Sequence, residues 1–371
     1  MSKAPKYHVN PIKSGASPQF REGRVKSLPD FLMIDLKRIK PFHNAVRYGY
    51  AVGRVRVLET QMINSQRVER LIEADFENAL YILDEITMGE YLRGASSAKE
   101  IDRGLTRYLR GVYSSIAQAL PVDSMLMEFF VCRYDFHNLK AILKAMMEGG
   151  EPEGLLGGLG AIEVDLLRKG ASDPVALPSP YKETVQEFAV GVESPQLLDT
   201  LVDKNYLSHR LFLARREGSP FIIDFARAAI DLANLKQVLR GRLLSKDKGF
   251  MEESLVQGGF VPVGRLLDLY GDPVEVMIKK LESNIYYSRL LAMTESVDEA
   301  VRLTDFDRKS DDQLMEMVSA TKRISVGAEP IFAYLRAGEN EVLMVRMILI
   351  AKLNNIPPAS IERMLRTLYI E

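Results

Sequence analysis

The sequence of 371 residues contains a single cysteine and four histidines. One thiol, Cys132, excludes an intramolecular disulfide and any zinc or iron–sulfur site built from several thiolates. The four histidines include no pair four residues apart and no other spacing typical of metal ligands. They are His8, His43, His137 and His209. The sequence therefore predicts a protein of a reducing compartment such as the cytosol, with no metal site and no cofactor.

The sequence also has no long apolar run, and neither positive nor negative residues are in large excess. The best apolar run, 342–353, is interrupted by Arg346 and is shorter than the ~18–20 apolar residues of a membrane span. Lysine and arginine number 49 against 50 aspartates and glutamates, a formal net charge of −1. This balance excludes a polycation that coats nucleic acid. With 47% hydrophobic residues, the chain is predicted to fold into two or three soluble domains without a transmembrane segment.

The beginning of the chain differs in composition from the rest. Residues 1–47 contain ten lysines and arginines against three aspartates and glutamates, and five prolines punctuate them. Their longest apolar patch, 31–34, is too short for a signal peptide. We predict a basic N-terminal arm over 1–45, extended and poorly ordered unless docked. A solvated tail is the favoured interpretation, and contact with acidic lipid or an acidic neighbour is the alternative.

The remaining sequence predicts helices almost throughout. Residues 97–100 form a capping box, and apolar residues recur at helical spacing after it. Residues 53–57 alternate as a strand would, but the wider apolar spacing around them favours a helix. Further predicted helix starts are Ser194-Pro195 and Asp272-Pro273, and predicted stops are Gly149-Gly150 and Gly241. The predicted fold class is all-α.

A short segment occurs three times along the chain. The segment 135–144 returns at 231–240, and a weaker third copy lies at 341–349. Each copy has an acid at its first position and a base five residues later. The first two copies have an asparagine between them, where the third has Met344. The repeat-motif positions are Asp135, Asn138, Lys140, Asp231, Asn234, Lys236, Glu341 and Arg346.

The spacing of the motif argues for a structural role. Five residues correspond to ~500° of helical turn, so the acid and the base are not expected to pair with each other. The favoured interpretation is that the polar groups bind a neighbouring helix or capping backbone while the apolar residues form the core. If the copies share one polar environment, Met344→Asn should cost little, and a loss above ~2 kcal/mol would indicate different packing.

A second shared element follows the first two copies. Residues 157–162 parallel 258–263 in the simplest alignment, whereas Ile356-Pro357-Pro358 begins a final helix after the third copy. The spacing of the copies divides the chain beyond the arm into lobes of about one hundred residues. The predicted helical lobes are 46–170, 171–271 and 272–371.

The search for catalytic motifs finds none. The glycine-rich stretch 154–160 has no following Gly-Lys-Ser/Thr and no preceding strand, so a flexible connector is favoured over a nucleotide loop. A hydrolase elbow, Gly-x-Ser-x-Gly, is absent. Cys132 is expected to be an inert buried thiol, and His137 a local packing residue. No catalytic, cofactor-binding or metal-binding residue is assigned.

One acidic cluster raises an enzyme hypothesis. Asp305, Asp307, Asp311 and Asp312 are reminiscent of the carboxylates that hold magnesium against diphosphate in helical enzymes. No facing acidic set is found, and the favoured interpretation is a helix start at Ser310 with acids near its amino end. The enzyme hypothesis predicts that Asp311→Ala and Asp312→Ala abolish a magnesium-dependent turnover.

Three features resemble a known family. They are the run from Tyr48 to Glu59, the threefold acid-x-x-Asn-Leu-Lys pattern and the closing segment from Leu353 to Pro358. Together they resemble the central-stalk C subunit of bacterial and archaeal V-type and A-type ATPases, whose eukaryotic relative is the d subunit. The resemblance covers roughly 46–371. The basic arm departs from the family pattern, whose members begin near the equivalent of Tyr48.

The resemblance implies an architecture and a role. It implies three helical lobes in a pseudo-threefold, funnel-like arrangement, peripheral at the cytoplasmic face of the membrane. The wide face would sit on the proteolipid ring, and the socket would receive the shaft made by the D and F subunits. Such a protein couples rotation to ion transport or ATP synthesis without catalysing a step, and the transported ion is selected in the ring. The alternative is a cytosolic helical-repeat scaffold unrelated to ion transport.

Overall fold

A computed structural model describes residues 45–152, 154–281 and 299–370, and the predicted arm lies almost wholly outside them. These ranges contain helices and no strand, which confirms the all-α prediction. The α-helices are α1 (Gly49–Glu59), α2 (Ser65–Glu73), α3 (Phe76–Leu83), α4 (Thr87–Glu90), α5 (Ala98–Ala117), α6 (Leu126–Glu148), α7 (Val164–Ser172), α8 (Tyr181–Gly191), α9 (Pro195–Glu217), α10 (Pro220–Leu243), α11 (Lys248–Ser254), α12 (Val263–Asp268), α13 (Val274–Leu281), α14 (Glu299–Ser319), α15 (Ala328–Leu353) and α16 (Pro358–Met364). Short 3-10 turns lie at Ala45–Tyr48, Pro174–Ala176 and Ala320–Arg323.

Local capping signals set several helix ends. Ser97 accepts a hydrogen bond from the N–H of Glu100 at the start of α5, and Ser194 does the same for α9 from the N–H of Leu197. Gly149, with φ of +67°, ends α6 in the left-handed conformation that suits glycine. These starts and this stop confirm the sequence predictions.

Two other predicted boundaries are displaced. The predicted stop at Gly241 is wrong, because α10 continues to Leu243. A Cβ at Gly241 would overlap Sδ of Met251 and press on the Tyr270 hydroxyl, so glycine here permits close packing rather than a turn. The helix predicted to start at Asp272-Pro273 begins at Val274.

The three motif copies lie on three long helices, α6, α10 and α15. The amino-terminal halves of these helices meet around the ring of Phe332. Its ring centroid lies 5.1 Å from Phe130 of α6 and 4.8 Å from Phe225 of α10. Aromatic rings at these separations contribute packing beyond the area that they bury. One hydrophobic cluster therefore joins all three motif helices.

A second hydrophobic cluster brings the two ends of the described chain together. It packs Ile63 to Tyr108 against Met344 to Ile361 of α15 and α16. A third cluster, from Leu232 to Phe306, surrounds the far end of α10. The pseudo-threefold funnel and the lobe boundaries stay predictions. No helix within the described ranges is both long and apolar enough to cross a membrane.

Candidate functional site: the motif clamps and an arginine-lined cavity

The first motif copy holds the loop that follows its own helix. The carboxylate of Asp135 accepts hydrogen bonds from the backbone N–H of Ala161 at 3.1 Å and of Ile162 at 2.9 Å. The amide of Asn138 binds both the N–H and the C=O of Gly157, each at 2.8 Å. Backbone groups that are partly withdrawn from water need such partners. The motif therefore holds the glycine-rich stretch, which was predicted as a flexible connector, at Gly157 and just beyond its carboxyl end.

The second copy makes the same contacts. Asp231 accepts from the N–H of Phe260 at 2.8 Å and of Val261 at 3.1 Å. Asn234 binds the N–H and the C=O of Val256, each at 2.8 Å. The acid and the asparagine therefore act as one clamp in both copies, and each clamp is followed at once by a short helix, α7 or α12.

Glycines in the two clamped loops allow the carboxylates to approach. A Cβ at Gly160 would overlap Oδ1 of Asp135, and a Cβ at Gly259 would overlap Oδ1 of Asp231. Gly160 thus corresponds to Gly259. The alignment suggested by the sequence, which places Gly160 opposite Val261, is wrong by two residues because it matches glycines by order rather than by contact.

The third copy holds a loop from the other end of the chain. The carboxylate of Glu341 accepts a hydrogen bond from the N–H of Ile63. Helix α2 begins two residues later, at Ser65, just as α7 begins two residues after Ile162. Met344, at the asparagine position, is buried in the second hydrophobic cluster. The third clamp is thus completed by the segment before α2, not by the segment before α16.

Burial raises the pKa of all three motif acids. It raises the pKa of Asp135 above its ordinary value, raises that of Asp231 to about 6 and raises that of Glu341 to about 7. The backbone N–H donors act in the opposite sense because they favour the charged carboxylate. None of the three carboxylates has a lysine or arginine within 4.0 Å in the described part of the chain.

The motif bases connect each motif helix to a neighbouring helix. Lys140 of α6 lies 2.5 Å from Asp203 of α9, and Lys236 of α10 lies 2.7 Å from Asp307 of α14. Arg346 of α15 lies 2.7 Å from Asp102 of α5. All three pairs are partly exposed, so each contributes little to stability. Each pair links its motif helix to one neighbouring helix.

A cavity of about 310 Å³ lies where the three motif helices meet α9 and α14. Its acidic lining residues are Asp311 and Glu339. Its arginines are Arg133, Arg210, Arg336, Arg346 and Arg366. A second cavity, of about 490 Å³, shares part of its wall. Because arginines outnumber acids in the first cavity, it is positively charged and suits an anionic group.

Most of these arginines are already engaged by acids. Arg336 lies 3.3 Å from Asp311 and 3.7 Å from Glu339, which also pairs with Arg133 at 3.3 Å. Arg366 pairs with Asp311 as well. These pairs connect α6, α14, α15 and the carboxyl-terminal segment across the cavity wall.

Arg210 differs from the other arginines of the cavity. Its guanidinium lies 4.0 Å from the ring centroid of Phe129 and 5.5 Å from that of Tyr206. No acid of the described ranges lies within 4.0 Å of it. A guanidinium stacked on an aromatic ring is held in place while its donors stay available for a carboxylate.

The acidic cluster of the enzyme hypothesis is used in these contacts. Asp311 pairs with two arginines, and Asp312 accepts a hydrogen bond from the N–H of Thr367 at 2.8 Å. The prediction of a helix start at Ser310 is wrong, because α14 continues through it. Arginines from α15 and the carboxyl-terminal segment offset the acids, so tertiary contacts override the local signal. The described residues contain no group of His, Cys, Asp and Glu suited to a metal ion.

Cys132 and His137, the other two candidate reactive residues, also have structural roles. Cys132 is fully buried, and burial raises the pKa of its thiol to about 12. His137 places Nε2 3.0 Å from the C=O of Leu155 in the clamped loop. The sequence interpretation missed Arg133, Arg210 and Arg336. Arg133 and Arg336 precede the motif acids of their helices by two and five residues, which turns them away from the clamps and toward the cavity.

The described residues form an all-α repeat protein whose three motif helices meet at a positively charged cavity. Comparison with known proteins identifies its family. The chain belongs to the ATP synthase (C/AC39) subunit family, whose model matches residues 51–364. This confirms the resemblance, and the chain is accordingly a subunit of a rotary ATPase of the V/A type.

Individual relatives are similar over most of their length. The C subunit of the V-type sodium ATPase of Enterococcus hirae is 22% identical over 320 residues, which cover 85% of this chain and 97% of the relative. The C subunit of the A-type ATP synthase of Thermococcus kodakarensis is 25% identical over 334 residues, covering 85% and 89%. That of Methanocaldococcus jannaschii is 23% identical over 356 residues and covers 86% of each chain.

Proposed function

We propose that this chain couples the rotating shaft of a V/A-type ATPase, formed by the D and F subunits, to the membrane proteolipid ring. It transmits torque and catalyses no step. It works as a peripheral subunit at the cytoplasmic face of the membrane, without a cofactor. The observation that carries the proposal is the family match over residues 51–364, which includes all three motif copies.

The clamps and the ion pairs between helices support a mechanical role. A coupling subunit must hold its helices in fixed relative positions while force passes through it. The buried clamps hold the loops after the first two motif helices, and the third holds the segment before α2. The shared aromatic cluster around Phe332 fixes the three motif helices against one another. Close-packed interiors transmit strain because they do not deform continuously.

The arginine-lined cavity is the part of the surface to which we expect the shaft to bind. It lies at the junction of the motif helices, and its lining is positively charged. A helical shaft that presents carboxylates would find donors there, with Arg210 held on Phe129 and not yet paired with an acid of the described ranges. Charge complementarity gives specificity and speeds association.

Affinity purification tests the proposal. The chain is tagged and recovered from its native membranes in mild detergent, and the proteins that co-purify are identified by mass spectrometry. We expect the D and F subunits, the proteolipid and the catalytic head. The same purification after high-salt washing should lose part of the shaft, because charge pairs are screened. Recovery of the chain alone, or with soluble partners only, would contradict the proposal and favour the scaffold alternative.

A further inference from the structure

Helix α1 exposes an apolar stripe. Val46, Tyr50 and Val57 follow one another at helical spacing and are 88%, 70% and 68% exposed. Between them lie Gly49 and Gly53, where an added Cβ would meet no atom of the described structure within 4 Å. Together these five residues, the α1 stripe, form an exposed apolar strip along α1 and the 3-10 turn before it, recessed at the two glycines. Exposed contiguous apolar surface of this kind marks an interaction site.

The opposite face of α1 is buried against the rest of the described structure. Ala51, Val52 and Val55 are buried in the cluster that joins the motif helices. The charged residues of the helix point to the sides of the stripe, where Arg54 donates to Ser115 Oγ at 2.9 Å and Arg56 pairs with Glu59 at 2.8 Å. The helix is therefore apolar on two faces, and the described residues cover one of them.

We propose that residues 31–39 of this chain's own amino-terminal arm dock on the α1 stripe. This segment, Phe-Leu-Met-Ile-Asp-Leu-Lys-Arg-Ile, is the richest in large apolar residues among the first 44. Within it Leu32, Leu36 and Ile39 recur every three or four residues, the spacing by which an apolar helix face fills a groove.

The connection is long enough for this contact. Residues 40–45 link the segment to the first described turn and reach about 20–22 Å when fully extended. Helix α1 is about 16 Å long, and nine residues in a helix span about 13 Å. The segment can therefore reverse direction after Pro41 and cover the stripe from Val57 to Val46.

The short tether favours the arm over a second copy of the chain. A segment held by a few residues has an effective concentration in the millimolar range, well above that of a second copy in dilute solution. Two glycines in the stripe also leave room for side chains of the docked segment. This contact is independent of the proposed coupling function.

The native thiol makes a direct test possible. Cys132 is fully buried and its thiol pKa is raised to about 12, so it is not expected to react with an alkylating reagent in the folded chain. Tyr50→Cys in the full chain places one reactive thiol in the stripe. Tyr81→Cys on α3 is the matched control, because Tyr81 is 71% exposed against 70% for Tyr50.

We expect the Tyr50→Cys thiol to be alkylated roughly tenfold more slowly than the Tyr81→Cys thiol, at a rate that does not change with protein concentration. Adding Leu32→Asp with Leu36→Asp should remove the protection. Adding Val9→Asp with Val25→Asp, elsewhere in the arm, should leave it intact. Equal rates in the unmodified arm would overturn the proposal. Protection that grows with concentration would assign the stripe to a second copy, and protection that survives Leu32→Asp with Leu36→Asp would exclude residues 31–39 as its occupant.

Discussion

The carboxylate of Glu341 accepts a hydrogen bond from the backbone N–H of Ile63, although 278 residues separate them along the chain. The first two motif acids hold loops within about thirty residues of themselves. The third motif acid instead holds a loop near the start of the described residues against α15. All three motif acids hold a loop, but only the third holds a loop that is distant from it in sequence.

This clamp predicts an unusual dependence of stability on pH. Burial raises the pKa of Glu341 from 4.5 to about 7, so the folded chain binds more protons than the unfolded chain between these values. The free energy of unfolding must then fall as pH rises through this window. Glu341→Gln keeps an oxygen acceptor for Ile63 and cannot ionise. Relative to the parent, the variant should gain about 2–3 kcal/mol between about pH 5 and pH 8.

Urea denaturation of both proteins across this pH range measures the effect. The buried Asp231 contributes in the same direction in both proteins, so the difference between parent and variant isolates Glu341. A difference in the free energy of unfolding that stays constant with pH would contradict the raised pKa that burial gives Glu341.

Removing the asparagine from the second copy and adding one to the third should both destabilise the fold. Asn234→Ala leaves both backbone groups of buried Val256 without their partners and should cost about 2–3 kcal/mol. Met344→Asn should also cost more than about 2 kcal/mol, because Met344 is buried in an apolar cluster rather than facing a loop. Thermal and urea unfolding check both. A near-neutral Met344→Asn would mean that the third copy contains the polar environment of the first two.

The clamped glycines predict a sharp contrast between two alanine substitutions. Gly259→Ala places a Cβ against Oδ1 of Asp231 and should destabilise the fold by about 2 kcal/mol or more, because the clamp must open. Gly264→Ala in α12 meets no atom within 4 Å and should change stability by no more than about 1 kcal/mol. Equal effects of the two substitutions would show that the close approach is not required.

Local signals in the sequence predicted those features whose partners are local. Ser97, Ser194 and Gly149 act on backbone groups within a few residues, so their patterns identify helix ends correctly. Gly241 resembles a helix stop and Ser310 a helix start, but the helix continues through each of them. Contacts with distant helices outweigh the local signal at both positions. Propensity and capping are weak beside tertiary packing.

The sequence predicts which residues form the motif, but it does not predict which distant segments they contact. The acid, asparagine and base recur visibly, and their failure to pair within a copy follows from helix geometry. The loop that Glu341 holds carries no sign of its distant partner. Arg210 lies outside the motif altogether, on α9, and only the fold brings it to Phe129.

Arg210 predicts a specific loss of shaft binding. Arg210→Gln removes the guanidinium that we expect to receive a shaft carboxylate, so the Kd for the purified D–F complex should rise at least about tenfold. Arg216→Gln is the matched control, because Arg216 lies on the same helix and stacks on Phe212 at 5.8 Å outside the cavity lining. Calorimetric titration with D–F measures both, and the thermal unfolding of each variant checks its fold. Unchanged affinity for Arg210→Gln would remove the residue from the interface.

Mechanical coupling can be tested in membranes from which this chain has been removed. ATP hydrolysis and ATP-driven ion uptake are measured in the same vesicles before and after the purified chain is added back. We predict that hydrolysis by the head persists without the chain, that ion uptake is lost, and that the chain restores uptake. Ion uptake that is equal with and without the chain would contradict the proposed role.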